Sequence, residues 1–353
     1  MDGMVKPVLI GTRSVGPGLP CLVIAEAGVN HNGSLAMALQ LVDAAAEARA
    51  DIVKFQTFKS DEVVTPLAPK ADYQVQNTGA TESQLDMIRK LELPDDAFRT
   101  IQQHCRERGI AFLSTPFDHR SADLLDEMEV EAFKIPSGEI TNFPLLTHIA
   151  RKRKPLIVST GMSNLEEVAA ALDVIHAAGN VELVLLHCVS NYPAAPASVN
   201  LRAMQTLEQR FNVPVGYSDH TEGISIPIAA AALGACIVEK HFTLDRRLPG
   251  PDHRASLEPP ELAAMVAGIR DVQSALGDGI KRPVAEELST AAVARRSLVA
   301  AHDLRAGTLL TESMVAIRRP GTGLPPSDLS RVLGRQLKQD LAAGHLFTLE
   351  MLV

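Results

Sequence analysis

Short apolar runs alternate with amphipathic stretches along most of the chain. Eight of the apolar runs are typical of buried strands, and they occupy residues 21–28, 51–56, 110–116, 132–137, 155–161, 181–188, 213–219 and 235–241. Helical periodicity follows several of them, as in 34–49, 95–109, 164–179 and 259–276, with Ser34 and Asn164 placed as N-caps and Gly109 and Gly179 as stops. Eight near-continuous apolar strands alternating with helices over about 250 residues predict a (β/α)8 barrel, an α/β fold. An open doubly wound sheet is the alternative, but no G-x-G-x-x-G follows the first strand.

Two stretches depart from this rhythm. Residues 57–93 separate the second strand from its main helix, and such a long insertion is typically a lid or a binding loop. Residues 297–353 have short β-like runs and glycine turns without a βα repeat. We therefore expect a barrel domain over 1–278 that begins with a hairpin at 5–20, a linker over 279–296 and a small β-rich domain over 297–353. Because so short a segment forms a marginal core, the small domain should dock onto a barrel.

Composition limits the class of protein. An apolar fraction of 46% and a charged fraction of 22% suit a globular α/β enzyme, and a net charge of −8 with scattered basic residues predicts no nucleic-acid partner. No apolar run approaches the roughly 18 residues of a membrane span, and the start lacks the apolar segment of a signal peptide. The cysteines at 21, 105, 188 and 236 are far apart. They predict buried, reduced thiols and a cytoplasmic protein without a membrane partner.

Two histidines stand at the ends of consecutive predicted strands. His220 ends the seventh strand and His241 the eighth. Because the active site of a barrel lies at the carboxyl ends of its strands, the two imidazoles should meet there. Two imidazoles with carboxylates in reach predict a divalent-metal site with open positions for water and substrate. Alternatively, each is a histidine that is hydrogen-bonded within the core.

The other strand ends carry lysines and hydroxyl groups, which suit an anion. These residues are Lys54, Lys134, Thr115, Ser137, Ser159 and Ser218. Ion pairing of the lysines with Glu26, Glu139 or Glu239 is an equally good interpretation, and a Schiff-base lysine is another. Glu26 could act as an acid or a base, or simply pair with Lys54. His31, in the loop that follows, is expected to be solvated or hydrogen-bonded to polar groups, with a substrate contact as the alternative.

Ordered motifs along nearly the whole chain resemble those of one family. The motifs are IAEAGVNHNGSL, VKFQTFK, FLSTPFD, FKIPSGEI, STGM, HCVSNYP, GYSDHT, EKHFTLD and PGPDHRASLEP. They are similar to those of the sialic acid synthases, the phosphoenolpyruvate-dependent enzymes that make N-acetylneuraminate, legionaminate or pseudaminate. RAGTLL, followed by IRRPGTG, resembles the antifreeze-like SAF domain of that family. The resemblance implies a barrel and a SAF domain in a domain-swapped homodimer. It also implies condensation of phosphoenolpyruvate with an open-chain N-acylated hexosamine, with release of phosphate.

The resemblance further implies roles for single residues. His220 and His241 match two ligands of Mn²⁺, with Mg²⁺ or Co²⁺ as alternatives, and Glu26 and Lys54 match an acid/base residue and a phosphoenolpyruvate contact. The phosphoenolpyruvate positions are Lys54, Thr115, Lys134, Ser137, Ser159, Ser190 and Ser218. The sugar positions are Gln56, Asn77, Glu139, Tyr192, Asp252 and Arg319, of which the last reaches the partner's site. Some members have asparagine where this chain has Ser190, so Ser190 and the adjacent Asn191 are both candidates for that phosphate contact.

The substrate sugar is expected to be N-acetylmannosamine and the product N-acetylneuraminate. The first alternative is 2,4-diacetamido-2,4,6-trideoxymannose, which would give legionaminate. A phosphoenolpyruvate aldol synthase that uses a phosphorylated sugar is disfavoured by the SAF-like tail. A non-catalytic sugar-binding protein on the same barrel is the alternative from another class. Residues 57–93 and Tyr192 are expected to distinguish between the sugars.

Overall fold

The computed structural model describes residues 5–79 and 81–353 of the chain. The chain divides into a first compact unit that ends at Gly277 and a second unit over Asp278–Val353. The strands of the first unit are β1 (Val8–Ile10), β2 (Arg13–Val15), β3 (Leu22–Gly28), β4 (Ile52–Thr57), β5 (Ala111–Pro116), β6 (Phe133–Ile135), β7 (Leu156–Ser159), β8 (Leu183–Cys188), β9 (Val215–Asp219) and β10 (Ile237–His241). Its helices are α1 (Leu35–Glu47), α2 (Ser60–Val63), α3 (Asp72–Thr78), α4 (Gln84–Arg89), α5 (Asp95–Arg108), α6 (His119–Glu127), α7 (Phe143–Ala150), α8 (Leu165–Ala177), α9 (Pro196–Val199), α10 (Ala203–Phe211), α11 (Ser225–Ala232) and α12 (Pro259–Leu276). The second unit contains α13 (Glu287–Ala294), β11 (Ser297–Ala300), β12 (Val315–Arg318) and α14 (Leu329–Val332).

All eight strands predicted from the apolar runs are present, as β3 to β10. They form one parallel sheet in the order β5-β4-β3-β10-β9-β8-β7-β6. Since β3 pairs with both β4 and β10, the first and the last of the eight strands are neighbours. β5 and β6, at the two ends of this order, also lie side by side. The sheet is therefore a nearly closed barrel, which confirms the predicted fold and excludes the open doubly wound sheet.

Alternation of side chains along each strand separates two apolar cores. Val23 and Val53 face the surrounding helices and belong to the larger core. Leu22 and Ile24 face the interior of the barrel. The antiparallel hairpin β1–β2 adds Val8, Ile10 and Val15 to this interior core. The next inward position on β3 is Glu26, so the interior changes from apolar to polar toward the carboxyl end.

Local sequence signals fix the helix ends. The Asn164 side chain accepts a hydrogen bond from the backbone N–H of Glu167 at 2.9 Å, and the Glu167 carboxylate accepts one from the N–H of Asn164 at 2.9 Å. This capping box starts α8. The Ser34 hydroxyl accepts a hydrogen bond from the N–H of Met37 at 3.3 Å at the start of α1. Gly109 ends α5 with a φ of 69°, a left-handed conformation that glycine adopts readily.

Residues 57–93, called the insertion from here on, contain the short helices α2, α3 and α4. Phe58 and Leu91, near the two ends of the insertion, are buried with Val29 in a small apolar cluster of their own. Val29 directly follows β3. The insertion therefore packs against the carboxyl end of the barrel, which is where a substrate-binding loop has to be.

The second unit has its own small core. β11 pairs antiparallel with β12, and Leu298, Val332 and Phe347 are buried in one apolar cluster. The helix α13 lies within residues 279–296, where the sequence predicted only a linker. In the described parts of the chain, no helix is both long and apolar enough to cross a membrane.

Candidate active site

Inward-facing side chains at the carboxyl ends of the strands line one cavity of about 410 Å³. The residues proposed from the sequence that line it are Glu26, Lys54, Gln56, Thr115, Lys134, Ser137, Ser159, Ser190, Tyr192, Ser218, His220, His241 and Asp252. Cavities of this size hold small-molecule ligands, and barrel enzymes bind substrates at this end. The structure thus brings most of the proposed residues into one site.

Three proposed sugar-binding residues are not part of the cavity lining. Asn77 donates from Nδ2 to the Pro251 carbonyl at 2.6 Å, which ties the insertion to the loop after β10. A carboxylate oxygen of Glu139 accepts a hydrogen bond from Asn142 Nδ2 at 2.6 Å. Arg319 belongs to the second unit, where its Nε donates to the last carbonyl of α13 at 2.9 Å. Their sugar-binding roles stay predictions.

Four charged side chains, Glu26, Lys54, Lys134 and Glu239, meet at the base of the cavity and are called the inner cluster. Lys54 Nζ lies 2.6 Å from Glu26 Oε2 and 3.6 Å from Glu239 Oε2. Lys134 Nζ lies 3.3 Å from Glu239 Oε1. Both lysines are therefore ion-paired, Glu239 bridges them, and Glu139, the other carboxylate considered, pairs with neither.

Hydroxyl groups surround the two ammonium groups. Lys54 Nζ donates to Thr115 Oγ1 at 2.9 Å, and Lys134 Nζ donates to Ser159 Oγ at 2.8 Å. The Ser218 hydroxyl donates to the bridging carboxylate at 2.8 Å. Two ammonium groups with three hydroxyls supply the charge and the hydrogen-bond donors that a phosphate or a carboxylate group requires.

The two carboxylates of the inner cluster have opposite electrostatic environments. Burial raises the pKa of Glu26 above its usual range, although Lys54 acts in the opposite direction. Burial would also raise the pKa of Glu239, but Lys134 and Lys54 outweigh it and lower that pKa. A carboxyl pair whose pKa values are pushed apart divides into a proton carrier and a fixed charge. Glu26 is thus suited to proton exchange, whereas the two lysines favour the ionised form of Glu239.

The two histidines at the ends of β9 and β10 lie side by side, with ring centroids 5.5 Å apart. His220 Nδ1 donates to the Val189 carbonyl at 2.7 Å, which orients the ring and leaves Nε2 for a ligand. Considering only the described residues, the buried His241 Nδ1 has no hydrogen-bond partner. Burial lowers the pKa of His241 well below its usual range and favours the neutral imidazole that metals bind.

This pair fits two of the ligands of a divalent ion. Within the described part of the chain, no third histidine, cysteine or carboxylate completes a metal-binding group with them. The remaining coordination positions would then fall to water or to substrate oxygens, as in catalytic metal sites. The metal assignment stays a prediction. His220 also fits the alternative of a histidine hydrogen-bonded within the core, whereas the Nδ1 of His241, without a partner among the described residues, does not.

Two tyrosines connect the insertion to the histidines. The ring centroid of Tyr192, after β8, lies 4.1 Å from that of His220. Tyr73, in α3, stacks on Tyr192 at 5.0 Å and also lines the cavity. Tyr192 is among the residues predicted from the sequence, whereas Tyr73 is not. The length of the insertion indicated function, but nothing in the local pattern distinguished Tyr73 from a residue that only packs.

The end of β8 and the segment after it distinguish Ser190 from Asn191 as the phosphate contact and add Cys188 to the cavity lining. Ser190 lines the cavity, whereas Asn191 is exposed and donates from Nδ2 to the Pro193 carbonyl at 3.1 Å. Ser190 is therefore the better placed candidate for the phosphate contact. Cys188 is buried, as predicted for the cysteines, but its thiol also faces the cavity, which the sequence analysis missed.

The loop after β3 is buried, so of the two environments predicted for His31 the structure shows the hydrogen-bonded one and not the solvated one. The side chain of His31 is hydrogen-bonded because its Nδ1 accepts from the N–H of Gly33 at 3.1 Å. His31 is only 1% exposed. Burial, assisted by the charge of His253, lowers the pKa of His31 to about 4. The sequence could not show this burial, because residues distant in the chain cover the loop.

A second buried charge pair lies on the outer face of the barrel, behind the histidines. Lys240 Nζ lies 2.6 Å from Asp219 Oδ2, and both side chains are 0% exposed. Asp219 also accepts hydrogen bonds from the Tyr217 hydroxyl at 2.7 Å and from the N–H and hydroxyl of Thr221, both at 3.0 Å. Lys240 donates in addition to the Thr221 carbonyl. These four residues are called the outer cluster.

Comparisons with known proteins agree with this geometry. A model of the NeuB family matches residues 41–281, and a model of the SAF domain matches residues 295–353. The N,N'-diacetyllegionaminic acid synthase of Legionella pneumophila is 48% identical over 95% of each chain. The protein of the same name from Campylobacter jejuni is 49% identical over 89% of this chain and 95% of its own. The crystal structure of N-acetylneuraminic acid synthetase from Leptospira borgpetersenii in complex with citrate has a TM-score of 0.72 and 35% identity, covering 82% of this chain and 96% of that one.

Proposed function

Because the chain belongs to the NeuB family, we propose that it condenses phosphoenolpyruvate with 2,4-diacetamido-2,4,6-trideoxymannose to give N,N'-diacetyllegionaminate and phosphate. The chain is a synthase of the transferase type. The observation that carries the choice of sugar is the 48% and 49% identity to two legionaminic acid synthases over nearly their whole lengths. N-acetylmannosamine, which the sequence analysis preferred, becomes the second candidate. It is favoured by the likeness to the Leptospira synthetase at 35% identity.

The inner cluster and its hydroxyls are suited to hold phosphoenolpyruvate. Lys54 and Lys134 would bring their ammonium groups to the phosphate and carboxylate, while Thr115, Ser159 and Ser218 would turn their hydroxyls toward the same oxygens. Glu239 keeps the two lysines in place before the substrate binds. Fixing phosphoenolpyruvate in this way converts its encounter with the sugar into an effectively unimolecular step.

Glu26 is suited to move a proton during the reaction. Carbon 3 of phosphoenolpyruvate forms a bond to the aldehyde carbon of the sugar, the aldehyde oxygen takes up a proton to become a hydroxyl, and water adds to carbon 2 with loss of a proton. The resulting tetrahedral centre releases phosphate when its C–O bond breaks, which leaves the ketone of the product. The raised pKa of Glu26 matches a carboxyl group that takes the proton from the attacking water. Gln56 donates to Glu26 at 3.2 Å and helps to orient it.

His220 and His241 would hold the divalent ion, for which Mn²⁺, Mg²⁺ and Co²⁺ are the candidates. Such an ion supplies Lewis-acid polarisation of the sugar aldehyde. The unpartnered, buried Nδ1 of His241 supports this assignment. Tyr192 packs against both imidazole rings, at centroid distances of 4.1 Å and 5.8 Å, and would keep them aligned and shielded from water.

We also propose that Arg319 acts on the cavity of a second copy of the chain, in a domain-swapped homodimer. The match of the second unit to the SAF domain supports this assembly. In this arrangement Arg319 would contact the acyl group of the sugar. Arg319→Ala should then weaken sugar use more than phosphoenolpyruvate binding, and unchanged kinetics for the sugar would remove the role.

The test measures phosphate released from phosphoenolpyruvate in the presence of Mn²⁺. Each candidate sugar is assayed in parallel, with and without EDTA. We expect the highest kcat/KM with 2,4-diacetamido-2,4,6-trideoxymannose, lower activity with N-acetylmannosamine, and loss of both in EDTA. A higher kcat/KM with N-acetylmannosamine would favour the second candidate. Binding of a sugar without phosphate release in any of the assays would support the non-catalytic alternative instead.

A further inference from the structure

The end of the cavity formed by the insertion has a different character from the inner cluster. Its lining is mainly apolar, and we call these side chains the apolar wall. The wall consists of Phe58, Val63, Val64, Met87, Ile88 and Leu91. Phe58 and Leu91 are anchored in the small apolar cluster with Val29. Two glutamine amides, Gln74 and Gln84, also line the cavity and hydrogen-bond to each other at 3.3 Å.

The chemistry of the reaction fixes which end of the sugar meets this wall. An open-chain hexosamine reacts at carbon 1, so this carbon has to lie beside the inner cluster and the two histidines. Carbons 4 to 6 are the far end of the same extended chain. The far end of the cavity is lined by the insertion, so carbon 6 comes to the apolar wall.

Among the described residues of the chain itself, no lysine or arginine lines this end of the cavity to neutralise a charged substituent at carbon 6. The only lysines or arginines that line the cavity, among the described residues, are Lys54 and Lys134 of the inner cluster. The four basic residues of the insertion are occupied elsewhere. They pair with acidic side chains, Lys59 with Glu92 and Asp95, Lys70 and Lys90 with Glu82, and Arg89 with Asp61. A phosphate at carbon 6 would be desolvated without a counter-charge, which is strongly unfavourable.

We propose, on the basis of the proposed function, that the apolar wall selects sugars whose carbon 6 is a methyl group and rejects those that carry a hydroxyl or a phosphate there. A methyl group buries its surface against valine and isoleucine, whereas a hydroxyl loses its hydrogen bonds to water. Apolar sites discriminate against one added hydroxyl by about 10²-fold. The amides of Gln74 and Gln84 suit the acetamido group at carbon 4 of the proposed sugar.

The experiment compares three sugars that differ only at carbon 6, with the full-length chain. They are 6-deoxy-N-acetylmannosamine, N-acetylmannosamine and N-acetylmannosamine 6-phosphate. We expect kcat/KM to fall from the first to the second by about 10- to 100-fold and further for the phosphate. Similar kcat/KM for the deoxy sugar and the phosphate would overturn the proposal.

A matched pair of variants tests the wall itself. Val64 lines the cavity, whereas Val75, in α3 of the same insertion, is exposed and not part of the lining. Val64→Lys should lower kcat/KM for the deoxy sugar about 10-fold or more and raise it for the 6-phosphate, because the ammonium group replaces an apolar contact. Val75→Lys should change neither. Equal effects of the two substitutions would contradict a role of the wall in selection.

Binding of unreactive analogues separates this inference from the proposed function. The alditols of the three sugars lack the aldehyde, so their Kd values by calorimetry do not depend on turnover. If no sugar reacts but the deoxy alditol binds more tightly than the 6-phosphate alditol, selection by the apolar wall is supported and the proposed synthase activity is refuted. If the sugars react and the alditols bind without preference, the synthase activity is supported and selection by the apolar wall is refuted. Absence of binding by every alditol also counts against the wall.

Discussion

The inner and outer clusters both put a buried charge on β10, yet only one of them is complete within the described part of the chain. Glu239 and Lys240 are consecutive residues of β10 that face opposite sides of the barrel wall. In the outer cluster, both oxygens of Asp219 accept hydrogen bonds and Lys240 donates two. In the inner cluster, among the described residues, Glu239 Oε2 is buried without a hydrogen-bond partner, and the Lys54 ammonium group lies 3.6 Å from it.

This difference distinguishes a structural charge pair from a binding site. A buried charge is tolerated when its own protein satisfies it, as in the outer cluster, and such a pair holds β9 and β10 in register. A buried polar atom that the chain leaves unsatisfied indicates that something else completes it, such as a ligand or ordered water. We therefore expect substitutions in the inner cluster to act on activity and those in the outer cluster to act on stability.

The largest effect is expected from Lys134→Met. It removes one of the two ammonium groups that would hold phosphoenolpyruvate, and kcat/KM should fall by about 10³-fold. The free energy of unfolding, measured in urea, should change much less, because water in the cavity can reach the Glu239 carboxylate that remains. A loss of stability as large as in the outer cluster would break the comparison.

Lys240→Met tests the outer cluster. Removing one partner of a fully buried ion pair leaves Asp219 uncompensated, so the free energy of unfolding should fall by about 3 kcal/mol or more. Adding Asp219→Asn to this variant should recover part of the loss, since no buried charge remains. The folded fraction should still bind phosphoenolpyruvate, measured by calorimetry. Stability equal to that of the parent chain would mean that the pair contributes nothing.

A third buried group, His31, lies in neither cluster and sharpens the comparison through pH. Its pKa is lowered to about 4 in the folded chain, against about 6.5 when unfolded. The unfolded chain therefore binds more protons between these values, and stability falls as the pH falls. From pH 6.5 to 5 this group should remove about 1.5 kcal/mol. His31→Gln should show a flatter dependence of unfolding free energy on pH, and an unchanged slope would contradict the buried, neutral imidazole.

The smallest effect is expected at the surface of the barrel. Asn164→Ala removes the capping box of α8 and should cost about 1 kcal/mol of unfolding free energy. Because α8 carries no residue of the cavity, kcat/KM should stay within experimental error. This variant is the control for a substitution that lowers stability at a solvent-exposed position away from the cavity. Any marked loss of activity would show that helix stability alone affects the site.

Much of the site could be predicted from the chain because barrel geometry is encoded locally. Strand period and the position of strand ends placed Lys54, Lys134 and the two histidines at the carboxyl end of the barrel and predicted that the histidines are neighbours. For the two lysines, ion pairing and anion binding were equally good interpretations of the sequence. Glu139 and Glu239 were equally good candidates for the paired carboxylate, whereas in the structure only Glu239 bridges the lysines.

The sequence by itself determined the eight strands, their inward and outward faces, the helix caps and the polar character of the carboxyl ends. These features depend on residues that are near one another in the chain, through side-chain alternation and backbone hydrogen bonding. Only the tertiary structure decided that Glu239 lies between two lysines from other strands, that Tyr73 of the insertion stacks on Tyr192, and that His31 is buried. These contacts join residues far apart in the chain. Their distances depend on the register and closure of the barrel and on the packing of the insertion, which no local pattern contains.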